Sequence, residues 1–146
     1  MPTYDKNLHY LKEAIFAKLN DDATLKSLLG ATGRIYHRNP PKAPQYPSIV
    51  YSIISDRDNV FNEDRSTGEV TGTYFRTTIF SKSKKTEELD NLEARVKALL
   101  HGQTSLNTSK VICYSCFREN LLEPRKDPDL QIWIYPIRYR VVWAVK

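Results

Sequence analysis

Two cysteines three residues apart are the feature of this 146-residue sequence that most directly suggests chemistry. They form the motif "CYSC", Cys113–Cys116. A redox pair of this kind opens a helix, whose N-terminal dipole lowers the thiol pKa, and a zinc site needs two more ligands. The pair instead falls within the β-like run "VICYSCF", where a three-residue spacing directs two side chains to opposite faces. We interpret both as buried structural cysteines, with a metal or redox role as the alternative.

Two carboxylates two residues apart, Asp56 and Asp58, are the next candidates for chemistry. They fit a nuclease-like metal site, but Arg57 lies between them and no Glu-x-Lys strand partner follows. The sequence contains no glycine-rich phosphate loop and no G-x-S-x-G or H-E-x-x-H motif. His9, His37 and His101 are widely separated, and we interpret His37 and His101 as surface or cap residues. The prediction is therefore a non-enzyme with no metal or cofactor.

The charge is basic but interspersed. The formal net charge is +5 and the pI is near 9.2, which permits contact with a polyanion. The densest cationic stretch is "SKSKK", Ser81–Lys85, at the expected start of a helix, so a solvated helix entrance is the preferred interpretation. A small nucleic-acid-binding module that uses Lys82, Lys84 and Lys85 stays open as an alternative, beside the metal-dependent nuclease. No apolar run is long enough for a membrane span, and residues 1–20 do not have the pattern of a signal peptide.

Helical periodicity marks three segments of the chain. Residues 4–19 carry one apolar stripe, and a shorter helix capped by Asp21 or Asp22 runs to Leu29, where Gly30 ends it. The third helix, 86–101, has acidic residues in its first turns and basic residues toward its end, which suits the helix dipole.

The remaining segments are extended. Residues 34–47 form a proline-rich arm that cannot be helix or inner strand. Strands are predicted over 48–55, 69–80, 111–117 and 131–145, the first of them central and covered on both faces. The last strand is expected to be bent or edge-exposed near Pro136. Residues 56–68 are predicted to form a long mobile loop or hairpin tip, and 119–130 a turn-rich connection.

Together these elements predict one domain over 1–146, with a helical part (4–29), the arm (34–47), and a sheet with one long helix (48–145). The fold class is α+β, with a mostly antiparallel sheet of four to five strands and two to three helices packed on it. The alternating face of the last strand either packs under the helices or meets a neighbouring subunit. Its large aromatic residues are Trp133, Tyr135, Tyr139 and Trp143.

Several stretches resemble the tail-completion proteins of long-tailed bacteriophages, also described as tail-to-head joining or tail-terminator proteins. The similar stretches cover nearly the whole chain from about Leu25, in the same order of elements. They are "LLG" with "GRIY" (28–36), "PPKAPQYPSIVY" (40–51), "SDRD" (55–58), "IFSK" (79–82), "ARVKALLH" (94–101) and "DPDLQIWIYPIRYRV" (127–141). The loops 58–70 and 121–129 are longer and more charged than is expected of the family.

The resemblance implies a structural virion protein, made in the host cytoplasm, that forms a ring, typically hexameric, at the head-proximal end of the tail. It implies partners in the tail tube protein and in the head connector, with passing contact to DNA in the ring lumen, and no enzymatic residues. From the residues themselves, we expect contacts with subunits or partners from charged groups of the 56–68 loop and from the arm and the last strand. These residues are Asp56, Arg57, Asp58, Asp64, Arg65, Tyr36, Arg38, Tyr46, Arg138 and Arg140.

Overall fold

A computed structural model describes residues 4–30, 34–39, 45–61, 70–83, 86–102, 106–121 and 123–145, in part by backbone alone. The elements in chain order are α1 (Tyr4–Asn20), α2 (Ala23–Leu29), β1 (Ile35–His37), β2 (Ser48–Phe61), β3 (Val70–Ser81), α3 (Glu87–Leu100), β4 (Val111–Leu121), β5 (Arg125–Asp127) and β6 (Ile132–Val145). No helix among the described residues is both long enough and apolar enough to cross a membrane.

The helices begin and end at the residues that their sequence signals indicate. A carboxylate oxygen of Asp22 accepts a hydrogen bond of 2.8 Å from the Leu25 N–H at the start of α2. Gly30 ends α2 in the left-handed conformation, at φ 84°, which costs glycine little. In α3, Glu87, Glu88 and Asp90 occupy the first turn, as predicted from the dipole.

The sheet confirms the predicted α+β class. Its strand order is β1-β2-β3-β6-β4, with β5 also paired to β6, and all pairs are antiparallel except β1 with β2. The described residues form six strands rather than the predicted four or five. The additional ones, β1 and β5, span three residues each and lack any run of alternating apolar residues.

Two predictions about the strands were wrong. The segment predicted as a loop from residue 56 continues as strand β2 to Phe61, because its backbone pairs with β3 even though its side chains are polar. Residues 62–68 of that loop lie outside the described residues. Strand 48–55 was also predicted to be covered on both faces, whereas no described helix covers the face that carries Val50 and Ser52.

Pro136 occupies a local gap in the strand pairing, in agreement with the edge exposure predicted near it, although β6 as a whole lies between β3 and the strands β4 and β5. Pro136 lies between the last β5 partner, Ile134, and the first β4 partner, Ile137, so its missing N–H breaks no described β4 or β5 pair.

One hydrophobic core joins the three helices to a single face of the sheet. Tyr135, Tyr139 and Trp143 of β6 are buried in it and Trp133 packs partly buried against it, so the first of the two alternatives for this face, packing under the helices, is observed. The rings of Tyr139 and Phe75 stack with centroids 5.4 Å apart. The Trp143 indole N–H donates to the Thr73 hydroxyl at 2.8 Å, so this buried donor is satisfied. Burial raises the pKa of the Tyr139 phenol above its ordinary value.

Residues 40–44 of the proline-rich arm lie outside the described residues, but both ends of the arm are described. The guanidinium of Arg34 holds the arm against α2. It donates hydrogen bonds to the carbonyl oxygens of Leu29, at 2.6 Å, and Tyr46, at 3.0 Å. The end of α2 is thereby joined to the chain that enters β2.

Candidate assembly surface

The face of the sheet opposite the helices is rich in arginine. Residues alternate between the two faces along a strand, so Phe75 and Ile79 of β3 enter the core while Tyr74 and Arg76 lie on the other side. In β6 the same alternation places Arg138 and Arg140 there. Helices pack on the core face, and no described helix covers the opposite one. We call this opposite surface the arginine face.

The register of β3 and β6 brings like charges together on the arginine face. Arg76 lies directly opposite Arg138, and Tyr74 lies opposite Arg140. Like charges in opposed positions of an antiparallel pair destabilise the sheet. The guanidinium of Arg138 lies over the Tyr74 ring at 5.1 Å, and its Nη2 donates to Glu119 at 3.4 Å. Both members of that ion pair are more than a third exposed, so it contributes little to stability.

A depression of about 490 Å³ lies in this face, at the side of β2, β3, β5 and β6 nearest the arm. Its lining consists of four apolar residues, named here the floor, and of three arginines, one carboxylate and two hydroxyl groups, named the rim. We call the depression the arginine groove. It is lined by Val50, Phe80, Ile134 and Pro136 in the floor and by Arg38, Arg76, Arg125, Glu123, Ser52 and Thr78 around it.

The structure brings together part of the predicted contact set. Arg38, Arg138 and Arg140 belong to the arginine face or its groove, and Tyr36 pairs in register with Val50 of the groove floor. Tyr46 lies at the anchored end of the arm instead, with its ring 5.0 Å from the Lys82 ammonium.

The charged residues of the predicted loop are only partly described. Asp56 and Arg57 lie in β2, paired with Thr73 and Gly72 of β3, and Asp58 follows them in the same strand. Their side chains are outside the described part of the structure, as are Asp64 and Arg65 altogether. Their role in contacts therefore stays a prediction.

Sequence reasoning missed Arg76 and Arg125, two of the three arginines of the groove. The signal for Arg76 was available, because the period-two alternation of a strand places Arg76 on the same face as Tyr74. Nothing in the sequence shows that β3 is the neighbour of β6, so the opposition of Arg76 to Arg138 required the structure. Arg125 lies in the short strand β5, which carries no strand signal of its own.

The cysteine pair is buried, as predicted, but not on opposite faces. The register of β4 shifts between Cys113 and Ser115, so that Cys113 lies opposite Trp143 and Cys116 opposite Val141. Both partners point into the core, and a β-bulge therefore turns both thiols to the same side. Within the described residues, no three side chains of His, Cys, Asp or Glu are grouped as metal ligands would be.

The two histidines interpreted as surface or cap residues have different surroundings. His101 is exposed and follows the last turn of α3, and its Nδ1 accepts a hydrogen bond of 3.0 Å from the Arg118 N–H. It is thus a helix-end residue, as predicted. His37 is half-buried against the Tyr51 ring, at 5.1 Å, and burial lowers the pKa of its imidazole.

The protein is a two-layer α+β domain with helices on one face of its sheet and arginines on the other. The arginine face suits contact with another macromolecule. The sequence profile of the family described as "Tail completion protein gp17" matches residues 13–115. The chain belongs to this family of structural tail proteins, which confirms the family suggested by the sequence. A search of curated proteins finds no match to the chain.

The fold is shared with solved structures. A chain in the virion of a native gene transfer agent particle superposes with a TM-score of 0.66 at 17% identity, over 90% of this chain and 92% of that one. A second solved protein, whose name describes no function, superposes with a TM-score of 0.60 at 11% identity, over 95% of both chains. At these identities the likeness concerns the fold.

Proposed function

We propose that this protein completes a phage-like tail by forming a ring, expected to be a hexamer, at its head-proximal end. The ring ends growth of the tail tube and joins the tail to the head. Family membership supports the general role, and the virion particle with the same fold supports the setting. The observation that carries the proposal is the uncovered arginine face, because a subunit that joins two structures needs a surface free for a partner.

Ring formation requires two different surfaces on each subunit, since head-to-tail contacts that close on rotation generate a ring. We assign one of them to the charged residues that follow Ser55, namely Asp56, Arg57, Asp58, Asp64 and Arg65. Opposite charges there give register and specificity to a contact. The arginine face, with Arg138 and Arg140, provides the second surface, for the neighbouring subunit, the tail tube protein or the head connector. DNA passing through the lumen is compatible with the formal net charge of +5.

Negative-stain imaging of the purified chain, with its mass measured in solution, tests the proposal. We expect discrete rings of one size, and addition of tail tubes should place a ring at one tube end.

The double variant Arg57→Glu and Arg65→Glu should lose ring formation while it keeps its melting temperature, and Lys12→Glu on α1 is the control. A monomer at all concentrations and on tubes would contradict the proposal. Cleavage of DNA that requires a divalent ion and disappears in Asp56→Ala would show a nuclease instead.

A further inference from the structure

The arginine groove has the composition of a site for a protein segment rather than for a nucleic acid strand. Val50, Ile134 and Pro136 make its floor largely aliphatic, which suits an apolar side chain. Stacking of bases requires exposed aromatic platforms, and the floor contains one aromatic ring, that of Phe80. The Glu123 carboxylate on the rim opposes a phosphate backbone, whereas a protein segment can place a hydroxyl or amide donor beside it.

The charge of the groove defines the partner further. Among the described residues, its lining carries three positive groups, on Arg38, Arg76 and Arg125, and one negative group, on Glu123. A guanidinium binds a carboxylate through two parallel hydrogen bonds, so three arginines around an apolar floor suit a segment with several carboxylates. Ser52 and Thr78 on the inner strands add hydroxyl groups that hydrogen-bond a peptide backbone or side chain.

The like-charge pair next to the groove supports a binding role for Arg76. Arg76 is exposed and lies directly opposite Arg138, and the ion pair of Arg138 with Glu119 spans 3.4 Å and is exposed. Among the described residues Arg76 forms no ion pair, and its opposition to Arg138 destabilises the sheet. A carboxylate brought by a partner removes this repulsion, so binding is favoured by relief of the like-charge pair as well as by the new contact.

We propose that the arginine groove binds an extended segment of another virion protein in which acidic and apolar side chains alternate. The apolar side chains enter the floor, and the carboxylates bind Arg38, Arg76 and Arg125. This inference rests on the proposed joining function, and it specifies the chemistry of the partner.

The test uses the full chain and a fluorescent seven-residue probe of sequence Glu-Leu-Asp-Val-Glu-Leu-Asp, followed by fluorescence anisotropy. The matched neutral probe is Gln-Leu-Asn-Val-Gln-Leu-Asn, and a single-stranded oligothymidine of similar charge is the nucleic-acid probe. We expect the acidic probe to bind and to weaken at higher salt, and the neutral probe to bind at least about tenfold more weakly.

Two variants with the same change of charge locate the site. Arg76→Glu should reduce the affinity for the acidic probe by about tenfold or more, because it removes one guanidinium and adds a repelling carboxylate. Its melting temperature should hold or rise, because the introduced carboxylate would then face Arg138 as an opposite charge. Lys12→Glu, on the helix layer, should leave probe affinity unchanged. Loss of binding together with a lower melting temperature in Arg76→Glu would show that Arg76 serves the fold, and would overturn the proposal.

The other outcomes are equally decisive. Equal affinity for the neutral probe, or absence of binding by the acidic probe, overturns the proposal. Tighter binding of the oligothymidine assigns the groove to nucleic acid. A fall in the fraction of acidic probe bound as the chain concentration enters its ring-forming range assigns the groove to a second copy. Imaging the same preparations distinguishes failure of this inference from failure of the proposed function. Rings that do not bind the probe contradict only this inference. Absence of rings contradicts the proposed function.

Discussion

A single carboxylate, that of Asp22, joins two helices. It accepts the Leu25 N–H at the start of α2, and its two oxygens accept hydrogen bonds from Arg95 of α3, at 2.8 Å from Nε and 2.5 Å from Nη2. The hydrogen bonds from Arg95 are the main reason that the pKa of Asp22 lies below its ordinary value of 3.8, and the Leu25 N–H lowers it further against the opposing effect of burial. The cap predicted from sequence at Asp21 or Asp22 is thus also a link across the helix layer.

This link makes part of the stability dependent on pH. A carboxyl with a depressed folded pKa stabilises the protein above its unfolded pKa, near 3.8, and that contribution is lost as the pH falls through the folded pKa. We expect Asp22→Asn, which keeps a capping side chain, to lower the free energy of unfolding at about pH 6, and the difference from the wild type to shrink toward about pH 3. Urea unfolding over this range measures it, with the exposed Asp21→Asn as control. A difference that stays constant with pH would contradict the assignment.

At the scale of elements, sequence periodicity predicts the long helices and strands. It fails for segments whose structure depends on which strand they pair with. The third helix was predicted at 86–101 and spans Glu87–Leu100, because its apolar spacing, acidic start and basic end agree. β5, with the sequence "RKD", is a strand only because a turn returns it alongside β6. The bulge near Tyr114 is likewise invisible in sequence, and it reverses the predicted orientation of one cysteine. Arg76 was not predicted as a site residue for the same reason, because the strand order determines which arginines lie opposite each other.

One edge of the sheet is closed by the segment that follows α3. Gly102 exchanges two backbone hydrogen bonds of 2.7 Å with Cys116 of β4, and Thr108 bonds the backbone of Val111. The Asn107 side-chain oxygen accepts from the Cys113 N–H at 2.5 Å. Open edge strands invite pairing with other chains, and these contacts occupy part of the outer side of β4.

Asn107→Ala tests whether a side chain protects this edge. Removal of the acceptor leaves the Cys113 N–H without that partner, so we expect a loss of about 1 kcal/mol in the free energy of unfolding. Hydrogen exchange at the Cys113 amide should become faster, while amides of β3 in the sheet interior change only in line with the global loss. The exposed neighbour Ser109→Ala serves as control. Uniform acceleration throughout the sheet, or none at Cys113, would be the contradicting result.

At the scale of the whole molecule, the two faces of the sheet differ in composition. The helix layer completes a core that includes Leu11 of α1, Leu92 of α3 and Trp143 of β6. The opposite face contributes little to that core and carries the arginines. A partner can therefore be recognised on one side without disturbance of the packing on the other. This division depends on the prediction that residues 1–146 act as one domain, with α1 an integral part of it.

Leu11→Ala tests whether α1 and the sheet unfold as one domain. Leu11 is fully buried in α1, so its truncation should lower the free energy of unfolding by about 2–5 kcal/mol. If α1 and the sheet unfold together, helical circular dichroism and the fluorescence of the two tryptophans of β6, Trp133 and Trp143, must report the same transition in wild type and variant. The exposed Glu13→Ala, two residues along the same helix, should change stability by less than about 0.5 kcal/mol. Loss of helical signal before the tryptophan signal would show that α1 unfolds separately, and the subunit would then not be the single rigid unit that ring assembly requires.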